Sequence, residues 1–253
     1  MKKLILLTIV CFAFAHTAYS EIFKITAINE KPAEIKTIEK DSGKYVWRCK
    51  NFDTTYKANG HNYLVITEDG EGQYGNDKKF KTWHEQTIYL YENETIVPQN
   101  SILEFRDRSG VIISSMQTTY DQDKRKVYCK LLNDKKEFDL KDGILDKNGL
   151  GLALMSYPFD RKADLVFPML TDEPAFYYMT LVNKGIEPVD VGGKPVDCYK
   201  LQMIPDLGFL GIFAPFVPKT YFWYRAAPPH DFIRYEGLES GLNTPYIVMQ
   251  VEK

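Results

Sequence analysis

Val189-Asp190-Val191-Gly192-Gly193-Lys194-Pro195-Val196-Asp197-Cys198-Tyr199-Lys200 decides the fold class of this chain. Residues alternate with period two on both sides of a Gly-Gly pair, which is the mark of extended strands. Two adjacent glycines supply the positive φ that a tight hairpin demands. Residues 185–191 and 195–203 therefore read as two arms of an antiparallel hairpin.

The same grammar extends in both directions. Residues 43–50 set Tyr45, Trp47 and Cys49 against Lys44, Val46, Arg48 and Lys50. Residues 61–67 place Tyr63, Val65 and Thr67 on one face, and residues 85–91 place Thr87, Tyr89 and Tyr91 opposite Ile88 and Leu90. Residues 101–106, 111–120, 126–132 and 135–140 continue the series, as do 176–182, 220–225, 231–236 and 246–251. Asp69-Gly70-Glu71-Gly72 and Ser109-Gly110 read as tight turns. Pro98 reads as a strand entry, where a missing N–H costs nothing.

One segment breaks the period. In residues 146–157, Leu150, Leu154 and Tyr157 fall at i, i+4, i+7, with Asn148 placed to cap a short helix. Gly149 and Gly151 weaken it by about 1 kcal/mol each, and Pro158 stops it. Residues 161–170 are apolar without a deciding period. Hairpins interrupted by one helix predict a mainly β chain. The expected form is an antiparallel, strongly curved sheet or open half-barrel, with the short helix packed on its concave face.

The start of the chain speaks to location. Lys2-Lys3, an apolar run over residues 4–15, and the small residues Ala18 and Ser20 have the layout of a secretory signal peptide, residues 1–20. Residues 21–253 then form a single β-rich domain, exported to a bacterial periplasm. The apolar run is shorter than the roughly 20 residues a bilayer span requires. The chain has 32 Lys+Arg against 34 Asp+Glu, a net charge of −2. That balance argues against nucleic acid, which needs a concentrated basic face. It also argues against adhesion to anionic lipid by charge alone.

No pattern spells out a chemistry. Cys49, Cys129 and Cys198 lack metal-ligand spacing, and core packing is favoured over a bridge. His61, His84 and His230 are not at ligand spacing, so no metal is expected. His230-Asp231 reads as a surface turn after Pro228-Pro229. Gly237-Leu238-Glu239-Ser240-Gly241 has the wrong spacing for a nucleophile elbow, and the glycines near Gly70 lack the Lys-Ser/Thr of a phosphate loop. Acidic pairs such as Asp121/Asp123 read as solvated turn residues. No catalytic residue and no cofactor is expected.

The least bland stretch is residues 207–224. Its first eleven residues carry no charge, and Gly208, Gly211, Pro215 and Pro218 forbid a long regular element. Phe209, Leu210, Phe213 and Phe216 either plug one end of the sheet or form the lip of a ligand cavity. Phe222, Trp223, Tyr178 and Met155 are candidate lining for that cavity.

From about Leu64 onward the chain resembles the bacterial exported proteins of the DUF3108 family. The resemblance is carried by residues 83–91 and 98–106, Gly110 and the strand that follows it, and the helical segment 150–157. Val189-Asp190-Val191-Gly192-Gly193-Lys194, Cys198-Tyr199-Lys200-Leu201, Pro218-Lys219 and Asp231-Phe232-Ile233-Arg234-Tyr235-Glu236 complete it. Residues 21–63 are longer than the family's pattern. The resemblance implies a topology similar to the outer-membrane lipoprotein carriers and their receptors, a half-barrel whose apolar interior takes acyl chains. It brings no catalytic residues. The leading expectation is a non-enzymatic periplasmic protein binding a lipid or other apolar ligand in that cavity. Two alternatives stand beside it. One is an envelope assembly protein that docks a protein partner, with peripheral membrane contact, through residues 207–218. The other is a hydrolase whose site is invisible in the sequence.

Overall fold

The computed structural model describes residues 24, 25, 28, 31–160, 164–208, 218–241 and 244–252. The signal-peptide reading and the loop residues Phe209, Leu210, Phe213 and Phe216 lie outside them. The first strands are β1 (Ala33–Glu39), β2 (Tyr45–Ala58), β3 (His61–Gln73), β4 (Phe80–Glu92), β5 (Thr95–Arg106), β6 (Ile112–Asp121), β7 (Lys126–Leu131) and β8 (Lys135–Asp139). Helix α1 (Lys147–Met155) follows. Then come β9 (Leu165–Leu170), β10 (Phe176–Asp190), β11 (Pro195–Pro205), β12 (Thr220–Arg225), β13 (Phe232–Leu238) and β14 (Tyr246–Val251).

All fourteen strands join one sheet in the order β8-β7-β6-β5-β4-β3-β2-β1-β14-β13-β12-β11-β10-β9. Each named pair is antiparallel, so sequence neighbours pair as hairpins and a single long-range join, β1 with β14, unites the two halves. The Gly192-Gly193 hairpin forms as its sequence demands, with both glycines at positive φ. Asp69-Gly70-Glu71-Gly72 is not a turn; it lies inside β3, paired with β2 and β4. Pro98 sits within β5 beside a register shift in the β4 pairing, which spares the ladder its missing N–H.

The expectation of a strongly curved sheet or half-barrel is corrected here. The ladder is open and ends at β8 and at β9, which do not pair with each other. Hairpin signals specify which strands are neighbours; they carry no information on how a finished sheet bends. Each edge is managed separately. β8 carries charged, exposed side chains, which discourage a foreign strand. The free side of β9 is covered by Leu145, whose N–H donates to the Pro168 carbonyl (3.0 Å) and whose carbonyl accepts from Leu170 (2.9 Å).

Part of the interior reserved by expectation for an acyl chain is taken by the protein's own helix. Leu150, Leu152, Ala153 and Leu154 of α1 join Leu64, Tyr89, Phe167, Leu181, Leu201 and Phe222 in one buried cluster. A helix this apolar on several sides belongs in a core. The half-barrel lipid cavity is therefore corrected together with the half-barrel. Cys49, Cys129 and Cys198 are free thiols packed in the core. Among the described residues no helix is long and apolar enough to cross a membrane.

Candidate functional site

Strand parity builds the site. Along β3, Leu64, Ile66 and Glu68 face inward, and along β4 so do Glu85, Thr87 and Tyr89. The β3–β4 register sets Glu68 directly opposite Glu85, an arrangement that is repulsive when both are charged. Both carboxyls are nearly buried, at 3% and 5% exposure. Lys147, the first residue of α1, relieves them. Its Nζ lies 3.0 Å from Glu68 Oε1 and 3.0 Å from Glu85 Oε2.

Neighbouring side chains lock this arrangement. Trp83 Nε1 donates to Glu68 Oε1 at 2.8 Å. It reaches that oxygen because Gly70 has no side chain: a Cβ there would stand 2.0 Å from the indole ring. Asn148 Nδ2 donates to Glu85 Oε1 (3.2 Å) and to Thr87 Oγ1 (3.1 Å). Asp146 caps α1 by accepting from the Gly149 N–H (2.8 Å) and receives the hydroxyl of Tyr89. Asp146, and not the expected Asn148, is thus the N-cap. Asn148 is turned inward to serve Glu85 instead.

The two opposed carboxyls titrate apart. Burial pushes Glu85 up to about 8, aided by the Asp172 and Glu68 charges and opposed by Lys147. Burial acts on Glu68 in the same sense, but Lys147 and the Trp83 N–H outweigh it and hold that carboxyl below its ordinary range. Lys147 pays a burial penalty as well, yet Glu68 and Glu85 keep its ammonium far more basic than usual. Asp172, on the turn after β9, is raised by burial and by the nearby Glu68 and Asp146 charges.

This cluster opens on a cleft of about 1340 Å³ among the described residues. Glu68, Lys147, Asn148 and Asp172 form its polar floor; Met155, Met179, Met203, Phe222, Tyr224 and Phe232 are among its apolar walls. Lys147 presents a third of its side chain there.

Of the residues singled out by sequence, Met155 and Phe222 line this cleft. Trp223 faces the opposite side of β12, where its N–H meets Glu187 Oε1 at 2.7 Å beneath the ammonium of Lys200. Tyr178 is exposed on the outer face of β10. The described histidines do not converge on the cleft: His61 pairs with Glu92, His84 with Asp69, and His230 meets the Arg225 carbonyl on the expected turn. Among the described residues no group of His, Cys, Asp and Glu is placed to hold a metal ion. Sequence reasoning missed the Lys147 cluster. Its available signal was parity, since Glu68 and Glu85 occupy the inward positions of two otherwise apolar strand faces.

No family model matches the chain, and no curated protein matches it. Its fold is similar to a solved β-barrel-like protein of the domain of unknown function DUF1849 from Brucella abortus. The likeness has a TM-score of 0.56 at 9% identity and covers 88% of this chain and 95% of that one. A candidate exported protein with a YmcC-like fold from Bacteroides fragilis aligns over 92% of this chain and 98% of its own, at 10% identity. Its TM-score of 0.33 carries no argument. The likeness to known structures is thus one of mainly β fold, and not specifically to DUF3108 proteins or to lipoprotein carriers.

Proposed function

We propose that this chain is an exported binding protein that seats the polar group of a small molecule on the floor of the α1 cleft. The observation that supports this reading is the convergence of Glu68, Lys147, Asn148 and Asp172 on one cleft, whose lining combines apolar side chains such as Leu150, Met155, Met179 and Phe222 with further polar ones such as Asp53 and Arg225. Binding sites combine apolar walls with a few placed polar groups that orient the ligand. The cluster suits holding better than catalysis, because Glu68 and Glu85 are each engaged by fixed donors. Export rests on the N-terminal layout of a basic start, an apolar run and small residues before Glu21.

The test uses the mature chain, residues 21–253, in a thermal-shift screen of water-soluble small molecules. Compounds that raise the melting temperature are then titrated against Asp172→Asn. That substitution removes a cleft charge that is only partly buried, so the fold should survive it. Loss of affinity by about tenfold, the size of one lost charged contact, is the expected result. Unchanged affinity for every hit would exclude the cleft floor as the binding site.

A further inference from the structure

We propose that Glu68, Lys147 and Glu85 together hold one exchangeable proton, and that losing it switches this three-residue cluster beneath the cleft from neutral to anionic. The inference rests on the cleft being the ligand site and adds its regulation and ligand class. The geometry supplies the device. Two carboxyls directly opposed across β3 and β4 share a single ammonium, each at 3.0 Å. One positive charge can neutralise one of them; two like charges this close and this dry do not both ionise easily. With Glu68 ionised and Lys147 charged, the proton stays on Glu85, whose carboxyl is pushed up to about 8.

The surroundings of Glu85 are consistent with that assignment from every side. From α1 it meets Lys147 and the neutral amide of Asn148. From β3 it meets Glu68. The opposing residue on β5 is the apolar Leu103. Cys49 of β2 and Tyr120 of β6 both feel its charge and are themselves held neutral by burial. Asp172 supplies a further negative influence from the turn after β9. Lys147 is thus the single cation among these groups.

A ligand with a basic group would draw the Glu85 proton out to solvent and take its place as the second counter-charge. Such a ligand binds more tightly as pH rises and is released on acidification.

The experiment follows carboxyl-labelled glutamates by carbon-13 NMR from pH 5 to 9.5 in the mature chain. It also measures the affinity of hexylammonium, which stays cationic over this range. One glutamate should titrate near pH 8, disappear in Glu85→Gln, and move to lower pH in Glu68→Gln. Hexylammonium affinity should rise about tenfold between pH 6.5 and 9 and lose that dependence in Glu85→Gln. If every glutamate titrates below pH 6, or if affinity is independent of pH in the wild type, the switch is refuted. Either result leaves the binding reading intact, since that reading is decided by Asp172→Asn.

Discussion

Gly70 shows how one residue without a side chain can position another's chemistry. The Trp83 indole lies across β3 at Gly70 and reaches Glu68 from there. Gly70→Ala forces the ring to move, at a cost of ~1–3 kcal/mol typical of overpacking. The expected result is a lower urea midpoint and a shifted tryptophan emission. Glu85 carries the clearest pH signature. Its carboxyl is raised from 4.5 to about 8, so the native state holds a proton the unfolded chain gives up. Its contribution to stability is present below pH 4.5 and is lost as pH rises toward 8. Glu68 has the opposite sign, and its contribution fades as pH falls below the ordinary glutamate range. Urea titrations across pH 5 to 9 should therefore show a decline in stability, and Glu85→Gln should flatten it.

At the scale of the element, α1 depends on tertiary partners more than on helix propensity. Gly149 and Gly151 both lie inside it. Gly149 has a packing reason: a Cβ there would crowd the Tyr89 hydroxyl at 3.1 Å and Asp146 Oδ1 at 3.2 Å. Gly151 faces open space, and nothing in the structure explains it. Asp146 joins the helix to the sheet by capping Gly149 and receiving Tyr89. Asp146→Ala should lose the cap, ~1 kcal/mol, and deprive the buried Tyr89 hydroxyl of its carboxylate acceptor, a further ~1–3 kcal/mol. Asp146→Asn should retain part of both. Chemical denaturation of the two variants, with helix content read by circular dichroism, distinguishes these outcomes.

For the whole molecule, the open sheet poses the problem of its edges. β9 is rich in buried apolar residues, Leu165, Phe167, Met169 and Leu170. Its exposure would template aggregation. Leu145 covers it through two backbone hydrogen bonds. Leu145→Pro removes the N–H that reaches Pro168 and should loosen this cover. Light scattering on heating should then show earlier association than in the wild type. A matching substitution on the charged β8 edge, Glu137→Gln, should not bring association forward.

The sequence by itself determined most of the strands and the tightest hairpins, but not β1, β9 or the join of β1 with β14. Period-two alternation and glycine turns act within a few residues, so the Gly192-Gly193 hairpin, the β10–β11 pairing and the short helix before Pro158 were all legible. The inward placement of Glu68 and Glu85 was written in the same parity. Its meaning stayed hidden, because a buried carboxyl is interpretable only once its counter-ion is known. That counter-ion is 79 residues from Glu68 along the chain. Only the tertiary structure decided that Lys147 meets both acids, that Gly70 lies under an indole inside a strand, and that the sheet stays open. The physical reason is range: hydrogen-bonded neighbours and turns are fixed by local dihedral preferences. Charge compensation, sheet bending and cleft formation depend instead on groups that meet only after the chain has folded.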